Sequence, residues 1–74
     1  MDRFAAMRVF VETVDRGSLT AAAEALDLSR AVVTRHLGEL EGWLGARLLH
    51  RTTRRLSLTD AGIDCLTYCR RVLG

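Results

Sequence analysis

Lysine is missing from this chain of 74 residues, whose eleven basic side chains are all arginine. Arginine suits bidentate contacts to phosphate and guanine. Coding bias explains a missing lysine more simply, so this absence excludes nothing. Long apolar runs are missing too. The runs present, such as those around Phe10–Val11 and Val32–Val33, fall far short of a membrane span. No basic-then-apolar leader opens the chain, since Met1–Asp2 leads straight into an amphipathic pattern. The expectation is a cytoplasmic protein without membrane contact. There is no paired nucleophile, acidic dyad or glycine-rich phosphate loop. No enzyme is expected, and no catalytic residue or cofactor.

Cysteine is scarce. Cys65 and Cys69 sit one helical turn apart, and only His36 and His50 remain as further soft ligands, neither near them in sequence. Zinc asks for about four ligands in tetrahedral array, so no metal site is expected. A disulfide within one helical turn is geometrically awkward, although a bridge across a dimer is conceivable. The two cysteines read as small buried hydrophobes.

What is present is an uneven distribution of charge. The net +2 conceals −2 on residues 1–29, +4 on residues 30–55 and neutrality beyond. The positive segment carries Arg30, Arg35, Arg47, Arg51, Arg54 and Arg55 against Glu39 and Glu41. Such clustering favours a polyanionic partner over a merely solvated face. The length allows one domain, near the lower limit for a self-sufficient core, and a hydrophobic share of 49% suits a compact helical one.

A first helix is expected over Asp2–Arg16. Phe4, Met7, Val11 and Val14 form its apolar stripe, with Phe10 beside them, and Arg8, Glu12 and Arg16 a charge ladder on another face. Gly17 closes this helix in the left-handed conformation. Ser18 caps a second helix with a narrow face of Leu19, Ala22, Ala23 and Leu26. Asp27 takes the turn, Leu28 tucks beneath it, and Ser29 caps a third helix over Arg30–Leu44, ended by Gly45. Val33, Leu37, Leu40 and Leu44 should face the core. Arg30, Ala31, Thr34, Arg35 and Gly38 fall opposite, toward the end that a helix-turn-helix presents to base edges. Arg30 and Arg35 suit guanine or phosphate, Thr34 a thymine methyl, and Ala31 close approach. Trp43, at the wrong end for stacking on a base, should pack on the first or last helix.

Arg47–His50 and Arg55–Leu58 alternate as two short strands, with Leu48, Leu56 and Leu58 pointing inward. Their arginines suit phosphates or a narrow minor groove, as in a wing. Thr59 caps a fourth helix, complemented by Asp60 at its start and by Arg70 and Arg71 at its end. It carries two apolar stripes, Ala61–Cys65–Tyr68–Val72 and Gly62–Leu66–Cys69–Leu73, more than its own domain requires. A second helix from another subunit is the natural partner for the surplus. The pattern runs unclosed to Gly74, which reads as a fragment.

In register, AAEALDLS at 22–29, LGELEGWLGARLLHR at 37–51 and LSLTDAG at 56–62 resemble the DNA-binding domain of LysR-type transcriptional regulators, and the resemblance covers residues 3–73. It implies a mainly α, winged helix-turn-helix domain of three helices and a two-stranded wing at 1–59, with the helix-turn-helix at 18–37 and the wing at 47–58. The start of a linker and dimerisation helix follows at 60–74. The implied function is sequence-specific binding of double-stranded promoter DNA with dyad symmetry by a homodimer. The family's contact positions fall on Ser29, Arg30, Ala31, Thr34 and Arg35, and its wing arginines on Arg51 and Arg54. Together with Ser18, Thr20, Thr53 and Arg55 these make the candidate DNA-binding set. Cys65, Leu66, Cys69, Val72 and Leu73 make the candidate dimerisation set. The chain departs from the family where many members carry Gln-Pro in place of Arg30-Ala31, Ser in place of Thr34, and Phe in place of Leu49.

Overall fold

Four side-chain caps set the helix starts. The computed structural model describes residues 2–51 and 56–74, with Arg51 described by its backbone alone. Among them run α1 (Arg3–Arg16), α2 (Leu19–Leu26), α3 (Arg30–Leu44), β1 (Leu49–Arg51), β2 (Leu56–Leu58) and α4 (Asp60–Leu73). Asp2 accepts from the Ala5 amide at 3.1 Å, Ser18 from Ala21 at 3.1 Å, Ser29 from Val32 at 3.1 Å and Thr59 from Gly62 at 2.9 Å. Each satisfies an otherwise orphaned donor and contributes about 1 kcal/mol. The first cap is Asp2 itself, so α1 begins one residue later than its periodicity suggests.

The helix ends follow from backbone chemistry. Gly17 and Gly45 close α1 and α3 at φ 71° and 68°, where a glycine meets no Cβ penalty. Asp27 makes the same left-handed turn at φ 56° between α2 and α3. The Leu28 amide then bonds back to the Ala23 carbonyl at 2.9 Å, which pulls the half-buried Leu28 under the turn.

Packing gathers α1, α3, the start of the wing and α4 around Phe10, Leu40, Leu48, Val33, Thr13 and Cys69, all fully buried. Burying a side chain the size of Phe10 or Leu40 contributes about 1.5–3 kcal/mol. The buried arc of α1 is Ala6, Met7, Val9, Phe10 and Thr13. That corrects the expected stripe. Phe4 is 63% exposed because the first turn of α1 projects past the core, and Val11 and Val14 are only half-buried. Thr13 enters the core because its hydroxyl donates to the Val9 carbonyl at 2.8 Å, leaving no unpaired polar atom. On α3, Val33, Leu37 and Leu40 are buried as expected, but Leu44 is 43% exposed. The last turn of that helix overshoots the core.

β1 and β2 pair antiparallel, with Leu49 opposite Leu58, His50 opposite Ser57 and Arg51 opposite Leu56. The first strand starts two residues later than the alternation suggested. Leu48 and Leu49 are both buried, one just before the strand and one within it, while Leu56 and Leu58 are half-buried. The base of this hairpin is tied to both neighbouring helices. Glu41 Oε2 of α3 accepts from the Leu48 amide at 2.8 Å and from Leu49 at 3.4 Å. The Leu48 carbonyl accepts from the Thr59 amide at 3.0 Å, and the Thr59 hydroxyl donates to the Arg47 carbonyl. One turn into α4, Gly62 lies against that same Leu48 carbonyl: a Cβ there would stand 2.1 Å from its oxygen.

α4 is also clipped to α1 at the surface, where Arg70 donates to both carboxylate oxygens of Asp15, at 2.6 and 3.3 Å. The Arg70 hydrogen bond holds the Asp15 carboxyl below the usual carboxylate range, with the charges of Arg70 and Arg16 adding to it.

Two outcomes are expected. Gly62→Ala should lower the unfolding free energy by about 2–3 kcal/mol through overpacking. Gly42→Ala, on α3 with open space around it, should raise it by about 0.5–1 kcal/mol; parallel urea denaturations measure both. A depressed carboxylate stabilises the fold above its unfolded pKa of about 4 and loses that contribution as pH falls through the folded value. Wild type should therefore melt above Asp15→Asn at neutral pH and low salt, with the two melting curves converging in acid. A gap in melting temperature that persists at pH 2 would show that the ion pair is not its source.

Candidate nucleic-acid interface

One side of α3 is committed to the core and the other is open. Ser29, Arg30, Ala31, Thr34, Arg35 and Gly38 are all exposed, and they alternate with the buried Val33, Leu37 and Leu40 at helical spacing. The Ser29 cap orders the first turn, where uncapped amides add a partial positive charge beside Arg30. No carboxylate among the described residues lies within ion-pair distance of Arg30 or Arg35. Elsewhere on the fold Arg3, Arg8 and Arg71 also lack an ion pair among the described residues, but three arginines are held by carboxylates. Arg16 pairs with Glu12 at 2.7 Å, Arg70 with Asp15 at 2.6 Å, and Arg47 with Glu41 at 3.6 Å. Those arginines serve the scaffold, whereas Arg30 and Arg35 carry uncompensated charge on a surface two turns long. Such a surface can take phosphate oxygens or the acceptor edge of guanine.

Among the other candidates, Thr20 is exposed near the start of α2, while Ser18 is half-buried with its hydroxyl engaged in capping. Thr53, Arg54 and Arg55 lie outside the described residues, and Arg51 is described only as the last residue of β1. His36, next to Arg35 on α3, is turned partly inward: its side chain is 14% exposed, with Nδ1 3.8 Å from Glu39 Oε1. Trp43 meets α1 as expected, with the Arg3 guanidinium 4.9 Å above its ring.

The dimerisation candidates separate. Cys69 is fully buried in its own core, which corrects its assignment to a partner-facing stripe. Cys65, Leu66 and Leu73 are half-buried against the same core, and Val72 is 40% exposed. The apolar groups that α4 does display also include Ile63 and Tyr68, at 53% and 56% exposure. The candidate set omitted them. Among the described residues, no three His, Cys, Asp or Glu side chains are grouped to hold a metal ion, and no helix is long and apolar enough to cross a membrane.

Glu41 was missed as well. Its signal was its position, one turn after Leu37 and beside Leu40, where a carboxylate among core-facing residues must find donors. It finds them in the hairpin.

This order of helices, turn and hairpin, with the second helix of the pair turned outward, defines a winged helix-turn-helix domain. Residues 4–63 match the family described as bacterial regulatory helix-turn-helix protein, lysR family, and the chain belongs to that family. It is 52% identical over 64 residues to an HTH-type transcriptional regulator of Xanthomonas campestris, covering 86% of this chain and 19% of that one. It is 49% identical over 73 residues to an HTH-type transcriptional repressor of Pseudomonas aeruginosa, covering 99% and 23%. The chain thus spans about a fifth of the length of these relatives. Among solved structures it is similar to the CbnR DNA-binding domain in complex with DNA (TM-score 0.91, 37% identity, 99% of this chain and 83% of that one). It is also similar to the BenM DNA-binding domain on catB site 1 DNA (TM-score 0.91, 32% identity, 99% and 81%). These relatives are regulators of transcription, and this domain is not an enzyme.

Proposed function

We propose that this chain binds double-stranded DNA sequence-specifically, as the reading head of a longer LysR-type regulator. The first two turns of α3 enter the major groove, and the hairpin between β1 and β2 rests on flanking backbone or in the minor groove. The observation that carries this reading is the open face of α3, where Arg30 and Arg35 stand without carboxylate partners around small Ala31, Thr34 and Gly38. DNA complexes of domains with the same fold support it. Residues 1–59 act as the reading domain and 60–74 as the start of a linker helix. The protein works in the cytoplasm.

The arginines divide by role. Arg35→Ala should flatten the preference for a selected duplex over a scrambled one, by roughly 1–3 kcal/mol for a lost bidentate base contact. Arg54→Ala should weaken both duplexes and reduce the salt slope by about one unit, as a lost phosphate contact does. Titrations at two salt concentrations read both quantities. A salt-independent affinity would instead mark a protein-interaction module.

We also infer a homodimer that reads dyad-symmetric promoter sites, joined through α4 by Val72 with the exposed Ile63 and Tyr68 beside Cys65, Leu66 and Leu73. Paired α3 helices would then sit about one DNA turn apart, ~34 Å, or a multiple of it. Val72→Asp should weaken self-association in sedimentation while leaving binding to a single half-site unchanged. A strict monomer at high concentration would refute the inference.

A further inference from the structure

The Sγ atoms of Cys65 and Cys69 lie 3.8 Å apart across one turn of α4. Both thiols are free. That separation discriminates between chemistries. A disulfide would have to close it to about 2.05 Å, against the fixed rise of the helix. A pyramidal thiophilic centre with bonds of about 2.3 Å, the length typical of thiolate–metal bonds, and angles near 90–110° spans ~3.3–3.8 Å between its sulfurs. A linear two-coordinate ion with the same bonds would need about 4.6 Å. The existing spacing of 3.8 Å lies at the wide end of the pyramidal range and is far from the disulfide length.

The surroundings select further. Cys69 is fully buried in the core, whereas the half-buried Cys65 opens onto an apolar cavity of about 440 Å³ that Met7, Leu40, Trp43, Leu44 and Tyr68 also line. A third protein ligand is not at hand among the described residues. The fitting centre therefore needs only two sulfurs and brings an organic group as its third substituent.

We propose that Cys65 and Cys69 form a chelating site for a monosubstituted trivalent arsenical, whose organic substituent occupies the adjoining apolar cavity. Two As–S bonds form and two S–H protons leave with the oxide oxygen as one water molecule. Arsenic stays trivalent, so no oxidant or reductant takes part. Burial pushes the Cys65 thiol up to about 12, which keeps it protonated and slow toward reagents that require a free thiolate. Release of water carries those protons away. Closure on Cys69 after capture at Cys65 is intramolecular, and effective concentration strengthens such two-point capture by roughly 10²–10⁴-fold over one thiol. The site is independent of the α3 face, so its test does not depend on DNA binding; because Cys65 and Tyr68 also lie on the surface assigned to self-association, the test is run at a concentration where the chain is monomeric.

Phenylarsine oxide added to the 74-residue chain in excess monothiol provides that test, read by intact mass and by thermal unfolding. Wild type should retain one phenylarsenic per chain with the loss of one water, release it to a dithiol, and melt at a higher temperature, since a ligand of the native state stabilises it. Cys65→Ala, a small change at a half-buried position, should bind about 100-fold more weakly or worse. Cys69→Ala should do the same, and its own melting curve shows whether the core has survived. Stripping of wild type by monothiol, full retention by Cys65→Ala, or an adduct that lowers the melting temperature would each overturn the proposal.

Discussion

A single carboxylate, nearly buried, ties the recognition helix to the rest of the fold. Glu41 is 10% exposed, yet its oxygens receive the Leu48 and Leu49 amides and face the Arg47 guanidinium. Charge-assisted hydrogen bonds of this kind contribute about 1.5–3 kcal/mol each, and removing the donors would strand a charge at low dielectric. The chain must therefore enter the hairpin at one place relative to α3. The next contacts extend the constraint, because the Leu48 carbonyl then receives Thr59 and abuts Gly62. Helix α3, the hairpin and α4 thus meet around the Leu48 backbone. The angle between the open face of α3 and the hairpin is set there.

Segregation of charge explains how a domain of net +2 can present a face whose charged residues are Arg30 and Arg35. Arginines that hold the scaffold spend their charge on neighbours: Arg16 on Glu12, Arg47 on Glu41, Arg70 on Asp15. Arg30 and Arg35 keep theirs. Their helix also offers the partial positive charge of its capped N-terminus, and the acids of the chain are placed mostly on α1, α2 and the far half of α3. Field strength at the face comes from this segregation and not from the total.

How far these features can be read from residue order depends on the kind of interaction. Caps and turns were legible at Ser18, Asp27, Ser29, Gly45 and Thr59, because each acts within three or four residues of itself. The outward face of α3 was legible for the same reason, since a core stripe at Val33, Leu37 and Leu40 leaves only one opposite side. The stripe on α1 was misread by a fraction of a turn. Its buried arc includes the small Ala6 and the polar Thr13, while Phe4, its most conspicuous apolar residue, lies past the edge of the core. Glu41 and the Asp15–Arg70 pair were not legible as contacts, because their partners lie 7, 8 and 55 positions away.

The double stripe on α4 shows where the boundary falls. Sequence alone established an amphipathic helix with too many apolar positions for one neighbour, and composition and periodicity suffice for that. Only the tertiary structure decided which of them face inward. Cys69 and Gly62 are consumed by the chain's own core, and Tyr68, Ile63 and Val72 remain on the surface. Local order determined the helices, their caps and the family likeness, since each rests on short-range hydrogen bonding and helical period. The rotation of each helix about its axis was decided by long-range packing, in which a carbonyl at Leu48, a missing Cβ at Gly62 and a carboxylate at Glu41 fit together in one way.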